Sequence, residues 1–144
     1  MRFPSTPACI LLVDDSKDGL LVRRALLEEQ GFDVHVAVNG EEGLKLFEGR
    51  PFDVVVTDHR MPVMGGLELI RQLRELKPQT PIVLLSGIAE PLGLSQENTG
   101  ADAVIAKNSN EPATLVRWVK RLISRPPARK PAGSQRRRTV RAQA

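Results

Sequence analysis

Short apolar runs alternate with amphipathic stretches through residues 8–124. Ile10-Leu11-Leu12-Val13, Val54-Val55-Val56 and Ile82-Val83-Leu84-Leu85 are continuous aliphatic runs, the pattern of strands buried on both faces of a parallel sheet. Asp33-Val34-His35-Val36-Ala37-Val38 alternates, and Ala103-Val104-Ile105-Ala106 is a short apolar run. These predict strands at about 8–13, 33–38, 52–57, 81–85 and 103–106. Helical spacing falls between them. Ser16 is placed to cap a first helix running to about Gln30, with Gly31 as its stop and Gly19, Val22, Ala25 and Leu26 as its inward stripe. Asn39 to Glu42 opens a second, with Gly43, Leu44 and Phe47 inward and Gly49 and Pro51 at its end. A third runs from about Gly66 to Leu76, with Leu67, Ile70 and Leu73 inward. Residues 88–99, broken by Pro91, Gly93 and Asn98, leave room only for a short, weak fourth. Leu115, Trp118, Val119 and Leu122 form the stripe of a fifth, stopped by Arg125-Pro126-Pro127. Strands alternating with helices across short connections predict a doubly wound α/β fold with parallel strands and right-handed crossovers.

The apolar runs end on polar residues. Asp14-Asp15 follow the first, Asp58 the third, Ser86 the fourth and Lys107 the fifth. In open α/β sheets the carboxyl edge of the strands is where ligands bind. If the first and third strands are neighbours, three carboxylates share one pocket, and like charges that close need a counter-charge. A hard divalent cation such as Mg²⁺ suits carboxylate oxygen and also binds phosphate. An ammonium and a hydroxyl beside it can hold phosphoryl oxygens. This is equipment for phosphoryl transfer onto a carboxylate, with Asp58 as acceptor.

Composition narrows the classes. Of 144 residues, 41% are hydrophobic and mean hydropathy is -0.20, ordinary for a soluble domain. The apolar runs are too short for a membrane span, and Ala8–Val13 is too short for a secretory leader. The net charge of +4 is unevenly spread. Residues 125–144 carry 7 bases and no acid, which leaves 14 bases against 17 acids in residues 1–124. A mildly acidic domain at 8–124 thus follows a flexible lead-in at 1–7 and precedes a basic, Pro/Arg-rich tail that cannot form a core. That tail could give nonspecific, salt-dependent affinity for nucleic acid, though without aromatic interleaving. Cys9, inside a predicted buried strand, reads as a small hydrophobe in a reducing cytoplasm, with neither disulfide nor metal cluster. His35 and His59 read as ordinary surface or edge residues. A flavin phosphate would be repelled by the acidic strand ends.

Leu-Leu-Val-Asp14-Asp15-Ser, Val-Val-Thr-Asp58-His-Arg-Met61-Pro62-Val-Met64-Gly-Gly66, Leu-Leu-Ser86-Gly87 and Gly100-Ala101-Asp102-Ala-Val-Ile-Ala-Lys107 together resemble the receiver domain of bacterial two-component response regulators. The resemblance covers about residues 8–124. It implies a flavodoxin-like five-stranded sheet of order 2-1-3-4-5 with five helices. It implies that Asp58 accepts phosphate from a sensor histidine kinase or phosphotransfer protein, with Ser86 and Lys107 holding the phosphoryl oxygens. It implies Mg²⁺ held by Asp15 and Asp58 directly, by Asp14 through water, and by the backbone carbonyl of Arg60. Such a protein catalyses its own phosphorylation and dephosphorylation without being a turnover enzyme. With no second domain after the fifth helix, the expectation is a stand-alone cytoplasmic receiver, monomeric or weakly dimeric, that docks on a downstream protein. The N-terminal receiver of a longer regulator, and a degenerate receiver acting without phosphorylation, are the alternatives.

Three positions depart from the family pattern. Asn108 follows Lys107 where the family has Pro, so the Lys107-Asn108 bond is either trans with a shifted loop or cis and strained. Val104 stands at the family's switch aromatic. Gly65 stands where an Asp is frequent. Arg60, two residues past Asp58, is placed to reach over a phosphate and alter its lifetime.

Overall fold

The computed structural model describes residues 6–87 and 95–124. The strands are β1 (Cys9–Val13), β2 (Asp33–Ala37), β3 (Val54–Asp58), β4 (Ile82–Ser86) and β5 (Ala103–Ala106). All pair in parallel in the order β2-β1-β3-β4-β5. This is the flavodoxin-like arrangement, and it makes β1 and β3 neighbours.

Each strand alternates its side chains between two covered faces. On one face Ile10, Leu12, Val54, Val56, Val83 and Leu85 pack with Leu20 and Leu27 of α1 (Lys17–Glu29) and with Leu115, Val119 and Leu122 of α5 (Glu111–Ile123). On the other, Leu11, Val13, Val55, Ile82 and Leu84 pack with Phe47 of α2 (Gly40–Gly49) and with Leu69, Ile70 and Leu73 of α3 (Gly66–Leu76). Covering both faces explains why β1, β3 and β4 read as unbroken aliphatic runs.

Four helices of 10–13 residues cover the sheet. The short fourth helix expected from the sequence is a single turn among the described residues, α4 (Gln96–Thr99). Most of its predicted span, 88–94, lies outside them, as do the lead-in's residues 1–5 and the tail. Among the described residues, no helix is long and apolar enough to cross a membrane.

Local signals hold at the helix starts. Ser16 accepts from Gly19 N at 3.1 Å, and Asn39 accepts from Glu42 N at 2.8 Å while Glu42 accepts from Val38 N at 2.8 Å. Two stripes are rotated from their prediction. In α3 Ile70 and Leu73 are buried as expected, but Leu69 takes the inward place given to Leu67, which is exposed. In α1 the buried pair is Leu20 and Leu27, while Val22 is 63% exposed and Ala25 also faces solvent. Arg23 sits in the middle of that inward face. A reading that counts only apolar positions skips it and shifts the stripe. Cys9 is also corrected: it opens the strand, its side is partly exposed, and it lies beside Asp33 and His35.

Candidate functional site

The carboxyl edge of the central strands gathers the acids. Asp14 follows β1 directly and Asp58 is the last residue of β3, one strand away. Asp14, Asp15 and Asp58 each offer a carboxylate oxygen, and these lie within 4.8 Å of one another. Asp14 and Asp58 are 1% and 5% exposed, whereas Asp15 faces solvent. The donor set is all oxygen and carries three formal negative charges. It fits a hard divalent cation such as Mg²⁺.

Lys107 comes from β5, two strands from β3. Its long side chain spans the end of β4, and its Nζ lies 2.5 Å from Asp58 Oδ1. The backbone anchors this reach, since Lys107 N donates to Ser86 O at 2.8 Å. Burial pushes the Asp58 carboxyl up; the Lys107 ammonium opposes this, and the Asp14 charge adds to it. Lys107, with a smaller contribution from the His59 backbone, therefore favours the ionised form of Asp58 against its surroundings.

Ser86 ends β4 and is partly buried. Among the described residues its Oγ makes a long contact to Gly87 O, 3.4 Å. Arg60 lies two residues past Asp58 on the loop between β3 and α3, with an exposed side chain. Cis peptide bonds are absent among the described residues, so Lys107-Asn108 is trans with Lys107 still on Asp58. The strained cis form expected as one option is ruled out. Asn108 N instead closes a tight turn on Ala106 O at 3.0 Å, a bond that Pro could not make. Val104 is partly buried and packs on the α2–α3 side of the sheet.

Two residues that sequence reasoning passed over complete the site. Arg23 Nη1 donates to Asp14 Oδ2 at 2.7 Å, and its Nε and Nη2 fork onto Glu111 Oε2 and Oε1, both at 2.9 Å. Glu111, at the first turn of α5, is 7% exposed. The fork holds the guanidinium firmly protonated. Asp14 Oδ1 also accepts from Ser16 N at 3.0 Å, so both its oxygens are engaged. One available signal was Gly19, one turn before Arg23. A Cβ there would sit 2.7 Å from both Arg23 Nη1 and Asp14 Oδ2. Only glycine leaves the pair its space.

The loop after Asp58 is held close. Gly66 N donates to His59 O at 2.9 Å, and Met64 N closes a three-residue turn on Pro62 O at 2.8 Å. That turn puts Val63 at φ 71°, a left-handed conformation a β-branched residue rarely adopts. Gly65 caps α3 without a side-chain bond. Val63 is 76% exposed, so little packing opposes its replacement. Val63→Gly is expected to raise stability by about 1 kcal/mol, because glycine takes the positive φ of this three-residue turn without a Cβ clash. Urea unfolding measures it; a loss of stability would contradict the strain.

The response regulator receiver domain model matches residues 10–120. A response regulator receiver protein of Anaeromyxobacter sp. is 35% identical over 106 residues, which are 73% of this chain and 44% of that protein. The aerobic respiration control sensor protein ArcB of Escherichia coli is 36% identical over 109 residues, 72% of this chain and 14% of the sensor. The chain thus spans less than half the length of these relatives. Among solved structures, a CheY-like receiver of Methanospirillum hungatei superposes with a TM-score of 0.74 at 31% identity, covering 82% of this chain and 94% of that one. TrrA of Thermotoga maritima, solved with Mg²⁺-BeF, gives 0.71 at 34% identity, covering 80% and 98%. The order of the sheet, the acids at its carboxyl edge and these matches agree: this chain belongs to the response regulator receiver domains of two-component signalling.

Proposed function

We propose that Asp58 is the phosphoacceptor of a working receiver at residues 8–124, taking a phosphoryl group from the phosphohistidine of a sensor kinase or phosphotransfer protein. The observation that carries this is a buried Asp58 held by Lys107 at 2.5 Å and flanked by Asp14 and Asp15. The Asp58 carboxylate oxygen attacks phosphorus, the O–P bond forms, and the P–N bond to the imidazole breaks. The departing imidazole keeps that electron pair and takes a proton from solvent.

Lys107 then serves two roles in sequence. It favours ionised Asp58 before transfer and moves its charge onto a phosphoryl oxygen afterwards. Ser86 donates to another phosphoryl oxygen. Asp15, Asp58 and the Arg60 carbonyl would hold Mg²⁺ directly, and Asp14 through water. Both Asp14 oxygens already accept hydrogen bonds, which suits the outer role. Mg²⁺, when bound, neutralises charge that accumulates on the transferring oxygens. That the related TrrA was solved with Mg²⁺-BeF supports Mg²⁺ binding at this acidic pocket.

Signalling would follow by docking on a downstream protein. With Val104 at the family's switch position and no Tyr in the chain, the change cannot pass through a rotating phenol ring. Ser86-Gly87 at the end of β4 and the short α4 are the route we assign to the signal from the phosphoryl group.

Intact mass after incubation with acetyl phosphate tests this. The expected result is a gain of one phosphoryl group that needs Mg²⁺, is absent in Asp58→Asn, and falls at least tenfold in rate in Lys107→Ala. No gain in any condition would overturn the proposal and favour an interaction module that works without phosphorylation.

A further inference from the structure

We propose that Cys9, Asp33 and His35 form a second metal site, selective for a borderline-soft ion such as Zn²⁺, at the sheet edge away from Asp58. The pairing of β1 with β2 sets Cys9 beside Asp33 and Leu11 beside His35. By strand alternation, Cys9, Asp33 and His35 all project to one face. The cluster brings one sulfur, one oxygen and one imidazole nitrogen within 4.8 Å of one another. His35 Nε2 is 3.2 Å from Asp33 Oδ2, and Cys9 Sγ is 3.9 Å from the same oxygen. Tetrahedral zinc, with its usual bond lengths, separates nitrogen from oxygen by about 3.4 Å and sulfur from oxygen by about 3.6 Å. These two spacings need only a few tenths of an ångström of adjustment, and the nitrogen and sulfur lie within 4.8 Å of each other.

The support around the cluster is ordered. The His35 ring meets Phe52 edge-on at 5.7 Å, and Phe52 stacks on Phe47 at 6.4 Å. Cys9 N donates to Asp53 Oδ2 at 2.7 Å, which fixes the start of β1 and brings a second carboxylate near. Arg50 is the opposing charge in the neighbourhood. Side-chain exposures of 28% for His35 and 51% for Asp33 leave room for solvent to supply a fourth ligand. Without metal these atoms pair among themselves, the thiol and the imidazole both on Asp33.

The donor chemistry separates this site from the Asp14-Asp15-Asp58 cluster. Thiolate and imidazole favour zinc over Mg²⁺, and an all-carboxylate site does not. Burial and the nearby Asp33 and Asp53 charges push the Cys9 thiol up. Binding forms the Zn–S bond with release of one proton to solvent. Zinc would staple the edge strand β2 to β1.

Co²⁺ titration of the full chain, with Mg²⁺ in excess to fill the carboxylate cluster, tests the site. The expected result is a near-ultraviolet sulfur-to-cobalt charge-transfer band with visible bands of four-coordinate intensity, abolished by one equivalent of Zn²⁺. The charge-transfer band should vanish in Cys9→Ser, and Co²⁺ affinity should fall at least tenfold in His35→Ala. Circular dichroism melts of both variants without metal establish that they fold, and zinc should raise the melting temperature of the wild type alone. Absence of the charge-transfer band in the wild type would overturn the proposal, and so would unchanged affinity in folded His35→Ala.

Discussion

Arg23→Met is expected to cost the fold about 3–5 kcal/mol in Mg²⁺-free buffer, the range for removing one partner of a buried ionic network. Side-chain exposures are 12% for Arg23, 1% for Asp14 and 9% for Glu111, so solvent screens these contacts poorly. Methionine keeps most of the volume but leaves two carboxylates without their shared cation. Asp14 then also faces the charge of Asp58, whose own cation is Lys107. Two rescues follow from the geometry. Glu111→Leu in the Arg23→Met background should recover part of the loss, because it removes one stranded charge. Saturating Mg²⁺ should stabilise Arg23→Met more than the wild type, because the ion replaces a cation the variant lacks. Urea unfolding of the three proteins with and without Mg²⁺ measures all of this. Equal stability of wild type and Arg23→Met would contradict the account.

Gly66→Ala should damage both fold and acceptor. A Cβ at position 66 would lie 2.2 Å from Asp58 O, 3.1 Å from His59 Cα and 3.2 Å from Asp58 C. All three are backbone atoms, so relief requires the end of β3 or the start of α3 to move. The glycine is needed for closeness of approach. We expect a loss of about 1–3 kcal/mol, as for other overpacked positions, and at least a tenfold slower phosphoryl gain because Asp58 itself shifts. Gly49→Ala is the control: no heavy atom lies within 4 Å of a Cβ there, and helix propensity makes the change neutral or stabilising. If Gly66→Ala melts and accepts phosphate like the wild type, the loop does not position Asp58 as described.

Much of this was legible in the sequence, for identifiable reasons. The buried strands announced themselves because both faces of the sheet are covered, so Val54, Val55 and Val56 are all 0% exposed. Apolar runs ending on Asp14, Asp58 and Ser86 marked the functional edge. Strand order did not follow from the runs; it came with the family resemblance. The same pattern logic failed where a charge is buried. Arg23 interrupts the α1 stripe as a sequence symbol and completes it in space, because Asp14 and Glu111 neutralise it. Glu111 was invisible for the converse reason, since an acid in a first helical turn reads as ordinary dipole compensation. Val63 escaped notice because Met-Pro-Val-Met-Gly-Gly foretells a turn, and the glycines draw the eye away from the residue that takes the positive φ. Cys9 was misplaced as interior because a strand's first residue is not as deep as its middle.

The most direct test of the central claim is to locate the phosphoryl group. The protein would be phosphorylated with acetyl phosphate and Mg²⁺, reduced with borohydride to convert the acyl phosphate to an alcohol, digested, and sequenced by mass spectrometry. The account predicts homoserine at position 58 and unmodified aspartate at 14 and 15. Reduction at Asp14 or Asp15 instead, or at none of the three, would contradict it.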